Sequence, residues 1–239
     1  MVALVPVKRL SEAKSRLACI LDDDLRRALV LALLGDTLAL LERIPLEAAV
    51  ISADEQVLAV ARDLGALPIV EPESCRKLNR AAACGAHELA RRGAAAVLVL
   101  AADLPLLSTL DIRLLLERLS MPTPGVVLAP AHNGGTNALG LRPPEAIPFR
   151  FGRDSARRHA LATRKAGLPL EVASTPGLGF DLDAPEDVTR LLSGPRSGDV
   201  YRTAGGCGPR TAALLPALAA RLAVGGRSRR PPPDGTWTP

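Results

Sequence analysis

Hydrophobic positions over the first hundred residues fall into two alternating rhythms. Short apolar runs at residues 2–7, 48–52, 67–70 and 95–101 hold few polar side chains and suit strands buried on both faces. Between them, residues 25–41, 55–64 and 79–92 return apolar side chains at helical spacing. Asp22, Asp23 and Asp24 precede the first of these helices, where carboxylates satisfy free amides and favour the dipole. Asp54 and Asn79 stand where they can cap the next two. Strands alternating with helices predict an α/β fold: a Rossmann-like, mostly parallel sheet with helices on both faces.

Past Asp103 the rhythm changes. The pattern predicts a helix over 109–119, strands near 126–129 and 136–141, a helix over 155–166, and strands at 170–172 and 178–182. A last short helix opens at Pro185, a residue suited to a first helical turn. From Gly194 the composition shifts: the remaining 46 residues hold eight Gly and seven Pro. Residues 1–193 therefore read as one domain. Residues 194–239 read as a largely disordered tail, in which 211–224 can form one short helix.

Charge sharpens that division. Seven of the 30 basic residues and two of the 25 acidic ones lie beyond Ser193, so the tail carries the whole net charge of +5. The folded part is neutral and has no bulk basic signature for nucleic acid. Aromatic residues make up only 2% of the chain, too few for a platform on which unpaired bases stack. Cys19, Cys75, Cys84 and Cys207 show no paired spacing, which argues against a zinc site or a disulfide framework and for reduced thiols. The opening residues become charged too soon for a signal peptide, and no apolar run reaches the roughly 20 residues that span a bilayer. A cytoplasmic protein without membrane partners is expected.

Four segments fall at the carboxyl ends of predicted strands, where open parallel sheets bind ligands. The first, residues 6–17, gathers Lys8, Arg9, Lys14 and Arg16, cations able to clamp a triphosphate, although the glycines of a Walker A loop are absent and a solvated basic loop is the plainer alternative. In the second, Asp103 directly ends a buried strand. Its carboxylate needs a cation, which Mg²⁺ with a nucleotide phosphate would supply, although a cap or an ion pair would also serve. The third joins Gly134-Gly135-Thr136-Asn137 to Phe151-Gly152-Arg153-Asp154-Ser155, with His159 beyond. Its glycines permit close backbone approach, and its hydroxyls sit beside a helix start that can receive an anion; a hairpin turn and an ordinary N-cap are the plainer alternatives. In the fourth, Asp181 and Asp183 alternate on an extended segment and so face one side, where they can join Asp103 around a metal. Asp183 can instead cap the helix at Pro185.

The same residues resemble the 2-phospho-L-lactate and phosphoenolpyruvate guanylyltransferases of coenzyme F-420 biosynthesis, within the molybdopterin-guanylyltransferase-like nucleotidyltransferases. The resemblance rests on Pro-Val-Lys at 6–8, Ala-Lys-Ser-Arg-Leu at 13–17, Ala-Asp-Leu-Pro-Leu-Leu at 102–107, Gly-Gly-Thr-Asn-Ala-Leu at 134–139, Phe-Gly-x-x-Ser at 151–155 and Asp-Leu-Asp-Ala-Pro-Glu-Asp at 181–187. It implies the fold of nucleotide-diphospho-sugar transferases, with GTP as co-substrate, Mg²⁺ as cofactor and a three-carbon phospho-acid as acceptor. It further implies Asp103 and Asp181 as metal ligands and Thr136, Gly152 and Ser155 on the phospho-acid. Lys8, Lys14, Arg16 and Asp103 would be the catalytic set, supported by Asn79 and Asp183. Two departures stand out: Lys77-Leu78-Asn79 replaces the family's usual Gly-Leu-Asn, and the tail has no family counterpart.

Such a reaction, attack of an already anionic phosphate oxygen on the α-phosphorus of GTP, needs no general base. Accordingly, no Ser/His/Asp or Cys/His constellation is evident. No residue here decides between phosphoenolpyruvate and 2-phospholactate; an Ala- and Arg-rich composition suggests a high-GC bacterial genome, for which the resemblance implies a slight preference for phosphoenolpyruvate. Two other readings stay open: a nucleotidyltransferase acting on molybdopterin or a sugar phosphate, and a non-catalytic nucleotide-binding module whose basic tail contacts a partner. An enzyme cut after residue 193 should keep its turnover, and small molecules are its expected partners, with a homodimer one assembly open to it.

Overall fold

A computed structural model describes residues 1–75, 77–120, 123, 125–193 and 207–227. Seven strands form one sheet: β1 (Val2–Pro6), β2 (Glu47–Ser52), β3 (Leu67–Val70), β4 (Val97–Leu100), β5 (Gly125–Pro130), β6 (Thr136–Arg142) and β7 (Leu170–Val172), in the order β3-β2-β1-β4-β6-β5-β7. All neighbours pair in parallel except at β6, which runs antiparallel to both β4 and β5. The mostly parallel sheet expected from the sequence is therefore present, with one reversed strand.

The pleat explains why these strands read as continuous apolar runs. Along β1, Ala3 and Val5 face a core shared with α1 (Asp23–Glu42), α2 (Glu55–Asp63) and α4 (Thr109–Leu119). Val2 and Leu4 face the opposite core, under α3 (Leu78–Arg91) and α5 (Ser155–Lys165). Strand β4 alternates likewise, with Leu98 and Leu100 on one side and Val97 and Val99 on the other. Burial on both faces removes any polar position from the interior of either strand. Polar groups are thereby confined to the strand ends.

Capping places the helices. Asp22 accepts from Leu25 N at 2.9 Å and starts α1, and Asp54 accepts from Gln56 N at 3.1 Å and starts α2. Helix α3 departs from expectation. Its N-cap is Lys77 without a side-chain bond, and Asn79 is engaged elsewhere. Helix α4 has a reciprocal box between Ser108 and Asp111.

Three further expectations are corrected. The strand expected over 178–182 is instead α6 (Pro176–Gly179) followed by extended chain. Thr175 caps this turn and also donates to Asp111 Oδ1 at 2.5 Å, and Gly177 lies so close to Asp111 and the Leu106 carbonyl that a Cβ would sit 2.3 Å from Asp111 Oδ2.

The disulfide expectation also changes, because Cys75 and Cys84 are joined by an S–S bond across a Cα separation of 6.9 Å, while Cys19 and Cys207 are free.

The third correction concerns the tail. After α7 (Pro185–Ser193) comes α8 (Pro209–Arg227), a helix longer than the 211–224 segment expected, and packed rather than free. Asp36 of α1 accepts from Arg210 N at 3.0 Å and from Thr211 N at 2.8 Å, so one helix caps another. Leu218 is fully buried in a cluster with Leu17, Leu29, Leu33, Leu182 and Val188. Residues 194–206 and 228–239, the rest of the segment expected to be disordered, lie outside the described residues. Among the described residues no helix is long and apolar enough to cross a membrane.

Candidate active site

Strand β1 has β2 on one side and β4 on the other, so the chain's connections diverge there and leave a crevice at the carboxyl ends. The segment after β1 folds into this crevice as a compact loop. Leu10 and Leu17 are buried and hold it down, and Leu10 N donates to Asp54 Oδ2 at 2.9 Å. Arg26 of α1, itself buried, donates to the Ala13 carbonyl at 3.0 Å. These contacts hold the next residue, Lys14, in a left-handed conformation with φ +52°, which costs a side-chain-bearing residue about 1–2 kcal/mol. Such backbone is kept only where the surroundings enforce it.

The consequence is a directed ammonium. Lys14 Nζ lies 2.5 Å from Asp103 Oδ2 and 2.7 Å from Asp183 Oδ1, bridging the end of β4 and the chain ahead of α7. Burial alone would lower the Lys14 pKa, but the charges of Asp103 and Asp183 outweigh it and raise the value. Burial would likewise raise Asp183, yet Lys14 and then Arg16 hold it below the ordinary carboxylate range. The capping alternative for Asp183 does not apply, because Asp187 Oδ2 accepts from Asp183 N and Ala184 N and closes that turn.

Asp181 is the outlier of the group. Burial, and then repulsion from Asp103 and Asp183, raise its pKa. Its Oδ2 accepts from Asn133 Nδ2 at 3.3 Å, whereas its buried Oδ1 accepts no hydrogen bond. His132 Nδ1 stands 3.3 Å from that oxygen but is also 3.1 Å from the Gly179 carbonyl, the acceptor that takes its proton. Leu182 N, hydrogen-bonded to the Asp103 carbonyl at 3.0 Å, sets Asp181 and Asp183 beside Asp103.

A cleft of about 340 Å³ is lined by Lys8, Lys14, Arg16, Asp103, Thr136 and Asp183, with Leu78 and Phe151 among its apolar walls, while Asp181 lies beside it and not on its lining. A second cavity of about 290 Å³ shares Lys8, Glu12 and Leu78 with it and is lined further by Arg9, Ala53 and Glu71, the last two just past the ends of β2 and β3. Six of the residues expected at a site thus face one space.

Gly152, Ser155 and Asn79 stand behind its wall. Ser155 is fully buried and donates through Oγ to Thr136 Oγ1 at 3.0 Å, and its own N–H donates to the Gly152 carbonyl at 3.1 Å. Ala156 N donates to the Gly134 carbonyl at 3.3 Å. Gly134, with φ +83°, also turns the β5–β6 hairpin, so the hairpin reading of the paired glycines holds beside any functional one. Asn79 pairs with the backbone of Phe151. Arg26, His132 and Asp187 were missed in the sequence. Only Arg26, a cation in an otherwise apolar helix face, left a signal there.

The model of the family described as guanylyl transferase CofC like matches residues 1–198. The chain belongs to that family. A phosphoenolpyruvate guanylyltransferase of Sphaerobacter thermophilus is 44% identical over 193 residues, covering 80% of this chain and 91% of that protein. A 2-phospho-L-lactate guanylyltransferase of Methanothermobacter thermautotrophicus is 38% identical, covering 80% and 83%. Among solved structures, a Desulfovibrio desulfuricans protein described as a nucleotide-diphospho-sugar transferase has a TM-score of 0.73 at 18% identity, covering 93% of this chain and 96% of that one. A nucleotidyl transferase of Methanothermobacter has a TM-score of 0.56 at 16% identity, covering 80% and 94%. These two likenesses bear on the fold, which is that of the nucleotide-diphospho-sugar transferases.

The residues of this family member also permit a test of fit for Mg²⁺. Among the described residues no group of three or more His, Cys, Asp or Glu side chains is drawn together as a finished metal site. The Lys14 ammonium stands between Asp103 and Asp183. Still, the donors are all carboxylate oxygens, the set Mg²⁺ takes. The orphaned Asp181 Oδ1, buried among like charges, is an atom that a cation would satisfy. The residues fit the ion.

Proposed function

We propose that this chain moves a guanylyl group from GTP to a three-carbon phospho-acid, giving the activated intermediate of coenzyme F-420 biosynthesis and releasing pyrophosphate. The observation that carries the reading is a single cleft, in a member of this family, that sets Lys8, Lys14 and Arg16 against Asp103 and Asp183. Phosphoenolpyruvate is the preferred acceptor, supported by the 44% identity of the Sphaerobacter enzyme against 38% for the 2-phospho-L-lactate enzyme. With GTP and such an acid as its substrates, this reading makes the protein a cytoplasmic enzyme.

In this reading a phosphate oxygen of the acid attacks the α-phosphorus in line. A new P–O bond forms, the bond to the bridging oxygen breaks, and pyrophosphate leaves with the electron pair. The nucleophile is already anionic, so the protein removes no proton. His159 is neutral, buried and fully hydrogen-bonded, in keeping with that economy. Catalysis comes from position and charge.

Lys8, Lys14 and Arg16 take the triphosphate, Lys as a point charge and Arg as a fork. Asp103 and Asp181 hold Mg²⁺, which when bound neutralises phosphate charge; Asp183 supports Lys14. Thr136, with Gly152 and Ser155 behind it, holds the acid. The second cavity, which shares Lys8, Glu12 and Leu78 with the first, takes the nucleoside.

Pyrophosphate release by purified protein with Mg²⁺ and GTP tests the reading, with phosphoenolpyruvate, racemic 2-phospholactate or no acceptor present. Release that requires one acid and fails with ATP is the expected result. Silence with both acids, from folded protein that binds GTP, moves the reading to another acceptor.

A further inference from the structure

Thr136 opens β6 at the wall of the cleft, and two residues one helical turn apart on α5, Ser155 and His159, point at it from behind. All three are buried, and only Thr136 reaches the cleft. The protons of this trio can be placed one by one from the partners.

The imidazole comes first. Arg150 N donates to His159 Nε2 at 2.8 Å. A backbone N–H cannot accept, so Nε2 carries no proton. A neutral imidazole has one N–H, which must then be at Nδ1. That nitrogen lies 3.0 Å from Thr136 Oγ1, and so it donates to the hydroxyl oxygen. The ring has little freedom to turn. Phe151 packs edge-on at 5.1 Å between centroids, and Thr163 Oγ1 donates to the His159 carbonyl at 2.9 Å. Burial first, then the positive charges of Arg158 and Arg150, lower the His159 pKa to about 4, so the neutral form holds at ordinary pH.

Ser155 completes the pattern. Its Oγ donates to the same Thr136 Oγ1 at 3.0 Å. A hydroxyl oxygen offers two lone pairs and one proton. With both lone pairs occupied from within the protein, Thr136 keeps only its proton for the cleft. A free threonine could donate or accept. This one can only donate.

We propose that His159 is a positioning residue for the acceptor acid: with Ser155, it fixes Thr136 as a donor aimed into the cleft, ready for an anionic oxygen of the phospho-acid. The inference rests on the proposed function for its ligand, though the proton placement does not. A donor fixed before binding spares the ligand the cost of ordering a rotor, and it disfavours any ligand that presents an N–H or O–H there. It also gives Ser155 a role without direct contact, since its side chain acts through Thr136.

Nitrogen NMR of the histidine side chains in the whole, ligand-free protein tests the proton placement. The expected result for His159 is a neutral Nδ1–H tautomer with no titration between about pH 5 and about pH 8. An Nε2–H tautomer, or titration near the ordinary histidine value, would overturn the proposal.

Steady-state kinetics then test the role, using His159→Leu, His159→Asn and Thr136→Val. His159→Leu should raise KM for the acid about tenfold, the loss of roughly one hydrogen bond, with KM for GTP changed less than about twofold. Asn, whose Nδ2 stands where Nδ1 does, should restore most of the affinity. In a Thr136→Val background, His159→Leu should add little further. Equal rises in both KM values without rescue by Asn, tracking a lower melting temperature, would make His159 merely structural and overturn the proposal. Turnover by the wild type with no KM effect in the His159 variants would overturn it alone. Absence of turnover by the wild type with either acid would overturn the reading of the site, and the phospho-acid as occupant with it, whatever the tautomer.

Discussion

Asn79 and Phe151 are paired by two hydrogen bonds across 72 residues of chain: Phe151 N donates to Asn79 Oδ1 at 2.6 Å, and Asn79 Nδ2 donates to the Phe151 carbonyl at 3.2 Å. The side-chain amide plays the part of a neighbouring strand. It fixes the backbone just ahead of Gly152, whose φ of +116° a residue with a side chain would adopt only under strain. It also sets the Phe151 ring against His159 and along the cleft.

Loss of this pairing should therefore affect both stability and the acceptor. Asn79→Ala leaves two partly buried backbone groups unpaired, a cost of about 1–3 kcal/mol in a urea titration. KM for the phospho-acid should rise more than KM for GTP, because Phe151 leads into Gly152 and Ser155. Asn79→Asp keeps the acceptor but turns a carboxylate oxygen toward the Phe151 carbonyl, so it should not rescue. An Asn79→Ala protein with an unchanged midpoint and unchanged KM would refute the assignment.

Lys14 and Asp181 should separate catalysis from stability. Lys14→Met removes the ammonium between two carboxylates, and kcat/KM should fall about a hundredfold or more. Lys14→Arg should not restore it, since the enclosed position fits a point charge and not a planar fork. If Asp181 holds Mg²⁺ as proposed, Asp181→Asn should lower activity comparably, yet its melting temperature should hold or rise. Burial and repulsion from Asp103 and Asp183 penalise the native charge, and the amide removes both. Activity assays and thermal melts on the same preparations check the opposite signs. Wild-type kinetics in both Asp103→Asn and Asp181→Asn would remove the metal assignment.

His159 should make the protein acid-sensitive in a defined window. Its pKa is about 4 when folded, against an ordinary value of 6.5, and the groups facing it are Arg150, Arg158, the Phe151 edge and the hydroxyls of Thr136 and Ser155. Between those values the unfolded chain binds a proton that the folded one refuses. Stability is then full above about pH 6.5 and declines as the pH falls toward 4, by on the order of 3 kcal/mol in all. Denaturant titrations of wild type and His159→Leu should show a difference that shrinks over that range. A constant difference would mean that His159 is not neutral in the fold.

What could be read from the chain follows from where its physics is local. Burial of β1 and β4 on both faces, and carboxylates ahead of α1 and α2, leave their marks in adjacent residues, and those elements stand where the pattern set them. Lys8, Lys14, Arg16, Asp103 and Thr136 fall on one cleft because each follows or opens a strand at the same sheet edge, and Asp183 joins them because Leu182 N is hydrogen-bonded to the Asp103 carbonyl. Contacts made at long range were illegible. Nothing near Asn79 announces Phe151, nothing near Asp181 announces His132, and nothing in the apolar run at 178–182 announces that Gly177, just ahead of it, is packed against Asp111, far away in sequence. Asp36, with no charged partner in its own helix turn, is the same kind of case.

The end of α8 that Asp36 holds bears on the expectation that the tail can be removed without loss of turnover. Arg210 N and Thr211 N both donate to its carboxylate, and Gly208 approaches so closely that a Cβ there would meet Asp36 Cγ at 2.3 Å. Beyond this anchor, Leu218 is buried against Leu29 and Leu33 of α1, in a cluster that also takes in Leu17, next to Arg16, and Leu182, between Asp181 and Asp183. The helix thus lies behind both the cationic loop and the carboxylates, although the family match ends at residue 198. Truncation after Ser193 should expose that cluster and cost about 2–4 kcal/mol, the burial of one or two leucines. Turnover should fall, because Leu17 and Leu182 lose the surface that fixes them. Gly208→Val should act in the same direction with the chain intact, by forcing the helix start away from Asp36. Urea midpoints and kcat for both proteins decide the matter: a truncated enzyme with the stability and kcat of the full chain would return α8 to the dispensable tail that its composition suggests.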